Sequence, residues 1–510
     1  DGEGTELEVF NAINGDFIGN VSSAGLDYEA ILDYGRKVGG RALRKMTFQE
    51  RGRMLKALAL YLMERKAKFY ALSAATGATK TDSWIDIEGG IGNLFAYASL
   101  RRQFPDLPYA VEGDVAPLSR GGSSIGHHIL VPKRGVAVHI NAFNFPIWGM
   151  LEKIAVNLLA GVPAVVKPSE FTSYLTELMV KEIIDSKILP EGSLQLVTGL
   201  GRGIIDHVTN QDVVTFTGSA ATGMKLKSLP HLIENSVPFN LEADSLNATM
   251  LGENAAPGTP EFDLFIKATQ AEITVKAGQK CTAIRRIMVP EKYMDDVQAA
   301  LSARLAKTVI GDPSQEGVRM GALASKLQVD RVRENVEKLM AEQEIVYGDL
   351  DDFEVVGADK NKGAFFSPIL FRNEDPYNKT AVHNIEAFGP VSTLIPYKSM
   401  DDAIAIAEMG KGSLVTSIVT ADDAEAKEFV LNTAHLHGRI LVLNERCAKE
   451  STGHGSPMPL LSHGGPGRAG GGEEMGGTRG VKHYMQRTAI QGHPETITRI
   501  TEQFQVGADQ

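Results

Sequence analysis

At 510 residues the chain is too long for one simple core, so two or three domains are expected; 43% hydrophobic and 23% charged residues are ordinary for a soluble globular protein. The formal net charge of -11 argues against a nucleic-acid partner, because phosphate binding needs a basic face. No apolar run approaches the roughly 18 residues of a membrane span, and two cysteines, Cys281 and Cys447, cannot form a disulfide framework, so a cytoplasmic location is expected. The opening residues Asp1-Gly2-Glu3-Gly4 show no basic region leading into an apolar stretch, so no secretory signal is expected. With no Met at position 1, the true N-terminus is expected to lie upstream.

Residues 1 to 45 are polar and say little. Thr47-Phe48-Gln49-Glu50 fits a capping box, and Leu55, Leu58 and Leu62 follow at helical spacing, which predicts an amphipathic helix to about Phe69. Leu107 to Ser124, rich in Pro, Gly and Ser, reads as a connection. Short strands are expected at Ile129-Leu130-Val131 and Val136-Ala137-Val138.

From Val136 to Glu242 strands and helices alternate. Strands are expected at Val136–Ile140, Ala164–Val166, Leu194–Val197, Val213–Phe216 and Phe239–Leu241. Helices are expected from Pro146 to Ala160, with Gly161 to end it, and around Ser173 to Asp185. Apolar strands separated by amphipathic helices predict an α/β fold with a parallel sheet covered on both faces. Such a sheet binds ligands beyond the carboxyl ends of its strands, so a nucleotide domain is the natural hypothesis. A second α/β region is expected from Asp244 to Asn444, with helices at Phe262–Thr274 and Met294–Ala306 and a strand at Ile287–Val289. The glycine-rich tract Ser451 to Gly477 reads as a mobile or irregular loop, and Val481-Lys482-His483-Tyr484-Met485 as a strand.

Three stretches invite a nucleotide reading. Gly199-Leu200-Gly201-Arg202-Gly203 has Ile204 where the dinucleotide fingerprint needs its third glycine, and is read as a turn. No P-loop motif occurs. Phe216-Thr217-Gly218-Ser219 follows a strand and opens a helix, so Ser219 and free N–H groups are placed for a pyrophosphate; by itself such a stretch is more often an ordinary turn. Lys167-Pro168-Ser169-Glu170 ends a strand, where ammonium and carboxylate either grip ribose hydroxyls or form a solvated pair. Asn144, before Pro146, is either a helix cap or an amide donor to a developing oxyanion. Glu242 ends the fifth strand, a position suited to a general base, with Asp244 as a competitor. Cys281 lies in Gly278-Gln279-Lys280-Cys281; the glycine allows close backbone approach and Lys280 offers positive potential to a thiolate. The competing reading is a small buried hydrophobe. No metal site is expected.

The ordered set Asn144-Phe145-Pro146, Lys167 to Glu170, Phe216 to Ser219, Glu242, Gly278 to Cys281 and Glu386-Ala387-Phe388-Gly389-Pro390 resembles the aldehyde dehydrogenase superfamily over nearly the whole chain. Gly464-Gly465-Pro466-Gly467-Arg468-Ala469-Gly470 resembles that family's glycine-rich C-terminal segment. The resemblance implies a Rossmann-like coenzyme domain (1–122 and 134–243), an α/β catalytic domain (244–445), an oligomerisation flap (123–133 and 478–495) and a glycine-rich segment (446–477) in a homo-oligomer. It implies Cys281 as nucleophile, Glu242 as base and Asn144 as oxyanion donor. Lys167, Ser169 and Glu170 would hold the adenosine ribose, Gly218 and Ser219 the pyrophosphate, and Glu386 the nicotinamide ribose, with Phe388 beside the ring.

Gly77 to Trp84, Glu242 to Asn247 and Lys280 to Arg286 are similar to one branch, the aldehyde dehydrogenase domain of the bifunctional ring-opening protein of phenylacetate degradation. Asp244-Ser245 stands where most of the superfamily has two glycines. The branch implies a semialdehyde substrate carrying a coenzyme A thioester. The chain ends at Gln510 without a hydratase domain, so ring opening is not expected of these residues. The branch favours NADP, but Glu170 would repel a 2′-phosphate that Lys167 attracts, so NAD is expected to be accepted as well. The rivals are a coenzyme A-acylating dehydrogenase, which Glu242 disfavours, and a non-catalytic protein of the same fold.

Overall fold

A computed structural model describes residues 2–509, apart from the side chains of Glu474 and Met475. Two parallel layers dominate it. The first is a five-stranded sheet in the spatial order Leu194–Leu196, Ala164–Lys167, Ala137–Ile140, Val213–Gly218, Phe239–Ala243, parallel throughout. Ala164, Val165 and Val166 are buried on both faces, which is why these strands read as continuous apolar runs. The helix Pro146–Ala160 starts with Pro at its first turn and ends at Gly161 (φ 91°), the left-handed conformation that glycine adopts without penalty. Ser173–Ser186 forms the next helix.

The second layer has seven strands in the order Glu344–Tyr347, Ile369–Arg372, Val391–Tyr397, Arg286–Pro290, Ala248–Leu251, Ser413–Val419, His437–Leu443. Only its first pair is antiparallel. Helices Pro260–Thr274 and Met294–Leu305 cover it, close to their expected bounds. The α/β fold is therefore as the alternation of strand and helix predicts.

Four local expectations are corrected. The capping box at Thr47 and Glu50 is formed, and Leu55, Leu58 and Leu62 are buried, but the helix stops at Glu64 and a second runs Lys66–Ser73. Arg65 (φ -106°, ψ 5°) breaks the ladder without Gly or Pro, so nothing in the sequence marks it. Ala110–Pro117, inside the stretch read as a connection, is a strand paired with Ile125–Pro132. It is mostly exposed and held by its hydrogen-bonded neighbour, so it lacks an apolar alternation. Thr478–His483 is a helix, and the strand begins only at Met485, running to Gly492 against Ile125–Pro132. The glycine-rich tract is ordered: Ser462–Gly464 and Glu473–Met475 pair antiparallel.

Candidate active site

The carboxyl ends of the five parallel strands open into a cleft of about 1080 Å³. Its walls include Lys167, Ser169, Glu170, Gly218, Ser219, Glu242, Cys281, Glu386 and Phe388, residues scattered over 222 positions in sequence but gathered here on one surface. Asn144 is buried one step behind it and donates its amide to the carbonyl of Gln279 at 3.0 Å. Cys447 lies elsewhere, half-buried beside the carbonyls of Val442 and Asn444.

The loop before Cys281 is held in an unusual backbone path. Lys276 (φ 53°), Ala277 (φ 50°) and Gly278 (φ 67°) are left-handed in succession, a costly run for the two residues that carry Cβ. At Gly278 a Cβ would stand 2.1 Å from the carbonyl oxygen of Gly389. Compensating contacts converge on the loop. The Lys276 N–H donates to Asp82 at 2.7 Å, and its ammonium donates to Thr76. Asn247 donates to the carbonyls of Cys281 (2.8 Å) and Ala283 (2.9 Å). Arg285 donates to the carbonyls of Gly278 and Gly389. Asp82 and Asn247 come from two of the three stretches that carry the resemblance to the branch, so those motifs brace the loop of Cys281.

Lys280 does not serve as expected. Its ammonium pairs with Glu272 at 2.8 Å, so its charge is directed to the end of the preceding helix. Burial pushes the Cys281 thiol well up, and the negative charges of Glu242, Glu152 and Glu386 push it further. The resting thiol is protonated and needs a base or a bound cationic group to ionise.

Burial also pushes the Glu242 carboxyl up, but His463, with Lys153 and the Cys281 contact, holds it down at about 2. His463 Nε2 is 3.0 Å from Glu242 Oε2, and both side chains are 3% exposed. Sequence reading missed this histidine, which lies in the tract taken for a loose loop. Asp244, the rival base, is bound to Arg468 at 2.5 Å, which also donates to the carbonyls of His383 and Asn384. Arg468 was likewise missed as a site residue.

At the other end of the cleft, Lys167 Nζ and Glu170 Oε2 are 3.0 Å apart and mostly buried, unlike a solvated pair. Ser219 caps the helix Ala220–Lys227, its hydroxyl accepting weakly from the Thr222 N–H at 3.4 Å. Burial pushes Glu386 up to about 8; Arg285, 3.8 Å away, opposes the shift, while Asp244 adds to it. Phe388 meets Phe143 edge-on at 5.8 Å. The paired Lys167 and Glu170, and Glu386 nearer Cys281, offer polar groups for sugar hydroxyls along one cleft, so the cleft fits a nicotinamide dinucleotide.

The cleft at the carboxyl ends of a parallel sheet is where α/β proteins of the nucleotide-binding class hold their ligands. The model of the Aldehyde dehydrogenase family matches residues 1–490, and the chain belongs to that family of NAD(P)-dependent oxidoreductases. It is 42% identical over 467 residues, 91% of both chains, to a 3,4-dehydroadipyl-CoA semialdehyde dehydrogenase of Aromatoleum evansii. Over 190 residues it is 51% identical to Protein MaoC of Klebsiella aerogenes, covering 37% of this chain and 55% of that one. Among solved structures, a betaine aldehyde dehydrogenase of Staphylococcus aureus in complex with NAD+ superimposes with a TM-score of 0.83 at 22% identity, over 99% and 96% of the chains. PnpE in complex with nicotinamide adenine dinucleotide gives 0.81 at 22% identity, over 96% and 94%. Among the described residues no helix is long and apolar enough to cross a membrane.

Proposed function

We propose that this aldehyde dehydrogenase oxidises a semialdehyde carrying a coenzyme A thioester to the carboxylate, with Cys281 as nucleophile, Glu242 as the water-activating base and Asn144 as oxyanion donor. The observation that carries the reading is the meeting of Cys281 and Glu242 in one cleft, with the Asn144 amide bonded to the loop just before the nucleophile. The substrate class follows the name of the Aromatoleum relative, aligned over 91% of both chains.

Under this reading the Cys281 thiol loses its proton to solvent as its sulfur adds to the aldehyde carbon. Asn144 shifts its amide from the Gln279 carbonyl to the new oxyanion, a donation worth a few kcal/mol in a dry site. Lys167, Ser169, Glu170, Gly218, Ser219 and Glu386, beside Phe388, would hold a nicotinamide dinucleotide, which would supply the hydride acceptor for the oxidation to a thioester. Glu242 then takes a proton from the water that releases the acid. NAD and NADP are both accepted, with the carboxylate of Glu170 limiting the advantage of a 2′-phosphate.

Division into a coenzyme domain (1–122 and 134–243), a catalytic domain (244–445) and a flap (123–133 and 478–495) is part of the same proposal. The flap would join copies of the chain through the exposed strand Met485–Gly492, and the two free cysteines fit a cytoplasmic enzyme. The test is coenzyme reduction against aldehydes with and without the coenzyme A group, with product analysis. Equal rates on plain aldehydes would overturn the substrate class. A requirement for free coenzyme A as acceptor would favour the acylating reading instead.

A further inference from the structure

The glycine-rich tract is fastened to the strand that carries Glu242. A Cβ on Gly470 would stand 2.1 Å from the carbonyl oxygen of Leu241, and one on Gly472 would stand 2.1 Å from Asn240 Oδ1. The Glu473 N–H donates to that same Asn240 oxygen at 2.8 Å. Only bare backbone packs this closely, and the strand Ser462–Gly464, paired with Glu473–Met475, is thereby set beside Glu242. Its middle residue, His463, turns its ring to Glu242 and meets the Trp148 ring edge-on at 5.9 Å.

We infer that His463 is a positioning residue for the deacylation step: it orients the Glu242 carboxylate and stabilises its charge until that carboxylate takes a proton from water. The inference rests on the reading of Cys281 and Glu242 as nucleophile and base. A carboxylate this buried is costly without opposite charge, and the imidazole 3.0 Å away adds to the positive field of Lys153. The balance is simple. One O–H bond of water breaks as its oxygen bonds the thioester carbon, and the proton passes to Glu242, whose carboxyl group the Nε2–H of His463 holds in place. The C–S bond to Cys281 then breaks, and the departing thiolate takes that proton back as a thiol.

Other charged groups face the pair. Lys153 and Glu152 come from the helix Pro146–Ala160, and the charge of Glu386 acts on the thiol. Cys281 Sγ, a Glu242 oxygen and a His463 ring nitrogen lie within 4.8 Å of one another, which is also a donor set for a soft cation. The positive field of Lys153 already acts on that carboxylate and opposes a divalent ion, so a proton is the better occupant.

His463→Gln keeps a hydrogen-bonding side chain that cannot be charged, and His463→Phe removes both properties; coenzyme binding by each variant checks the fold. Both variants should keep a first-turnover burst of coenzyme reduction. Deacylation should slow about tenfold or more, with its pH profile displaced in both. Deacylation with wild-type rate and profile would overturn the inference. A second arm needs no aldehyde turnover, so it separates this inference from the functional reading. The pH profile of Cys281 alkylation by iodoacetamide should move to lower pH in His463→Gln, because Glu242 without the charge of the imidazole is more readily protonated and pushes the thiol up less. Superimposable alkylation profiles would overturn the inference whatever the enzyme's substrate.

Discussion

The loop that carries Cys281 and the tract that carries His463 both depend on glycine, in opposite ways. In the first, a single glycine permits a strained path, and side chains from distant stretches (Asp82, Thr76, Asn247, Arg285) hold that path in place. In the second, several glycines remove side chains so that backbone can lie directly on the strand of Glu242. The nucleophile loop is thus fixed by polar anchors, whereas the histidine tract is fixed by close packing. Substitutions should separate the two modes.

The largest effect is expected at the nucleophile. Cys281→Ala should abolish aldehyde oxidation with coenzyme binding intact, while Cys447→Ala should be nearly silent; steady-state rates and coenzyme titration read both. Next come the two modes of support. Gly470→Ala puts a methyl against the Leu241 carbonyl at a φ of 111°, and should lower stability by about 2–4 kcal/mol in denaturant melts and slow turnover. Asn247→Ala leaves two buried carbonyls short of a donor and should cost about 1–3 kcal/mol, with alkylation of Cys281 altered as its loop relaxes. If Gly470→Ala proves neutral while Asn247→Ala is severe, the tract is not held by packing.

A smaller effect is expected from Glu386. Its folded-state value of about 8 lies above the ordinary carboxyl value of about 4.5, so between these pH values the folded chain holds a proton that the unfolded chain releases. That contribution is fully present below about 4.5 and is lost as pH rises through 8. Glu386→Gln should flatten this part of the Tm–pH curve and weaken coenzyme binding; an unchanged slope would remove Glu386 as its source. The smallest effect is a shift in preference. Removing the negative charge paired to Lys167, as in Glu170→Thr, should raise kcat/KM for NADP relative to NAD by about ten- to a hundredfold. An unchanged ratio would mean that Glu170 does not face the ribose.

What was legible in the sequence follows the same division. The five parallel strands and their helices announce themselves because each buries two faces and so repeats an apolar pattern. Asn144, Glu242 and Cys281 stand at strand ends or beside glycine and proline, where local sequence marks a site. Lys280 misled because its partner, Glu272, is chosen by the turn between helix and loop, which sequence spacing does not reveal. His463 stayed hidden because its place is set by strand register within a glycine-rich tract, and that tract looks the same in sequence whether it is loose or packed. The strand Ala110–Pro117 escaped for a related reason: it depends on a neighbour rather than on its own burial.

The central chemical claim is that an acyl group passes through Cys281 and leaves only when Glu242 activates water. Glu242→Gln keeps the shape of the base and removes its proton acceptor. After one turnover with aldehyde and coenzyme, the mass of the Cys281 peptide should rise by that of the acyl group. A variant that reduces coenzyme in a first turnover yet carries no added mass on Cys281 would contradict the account.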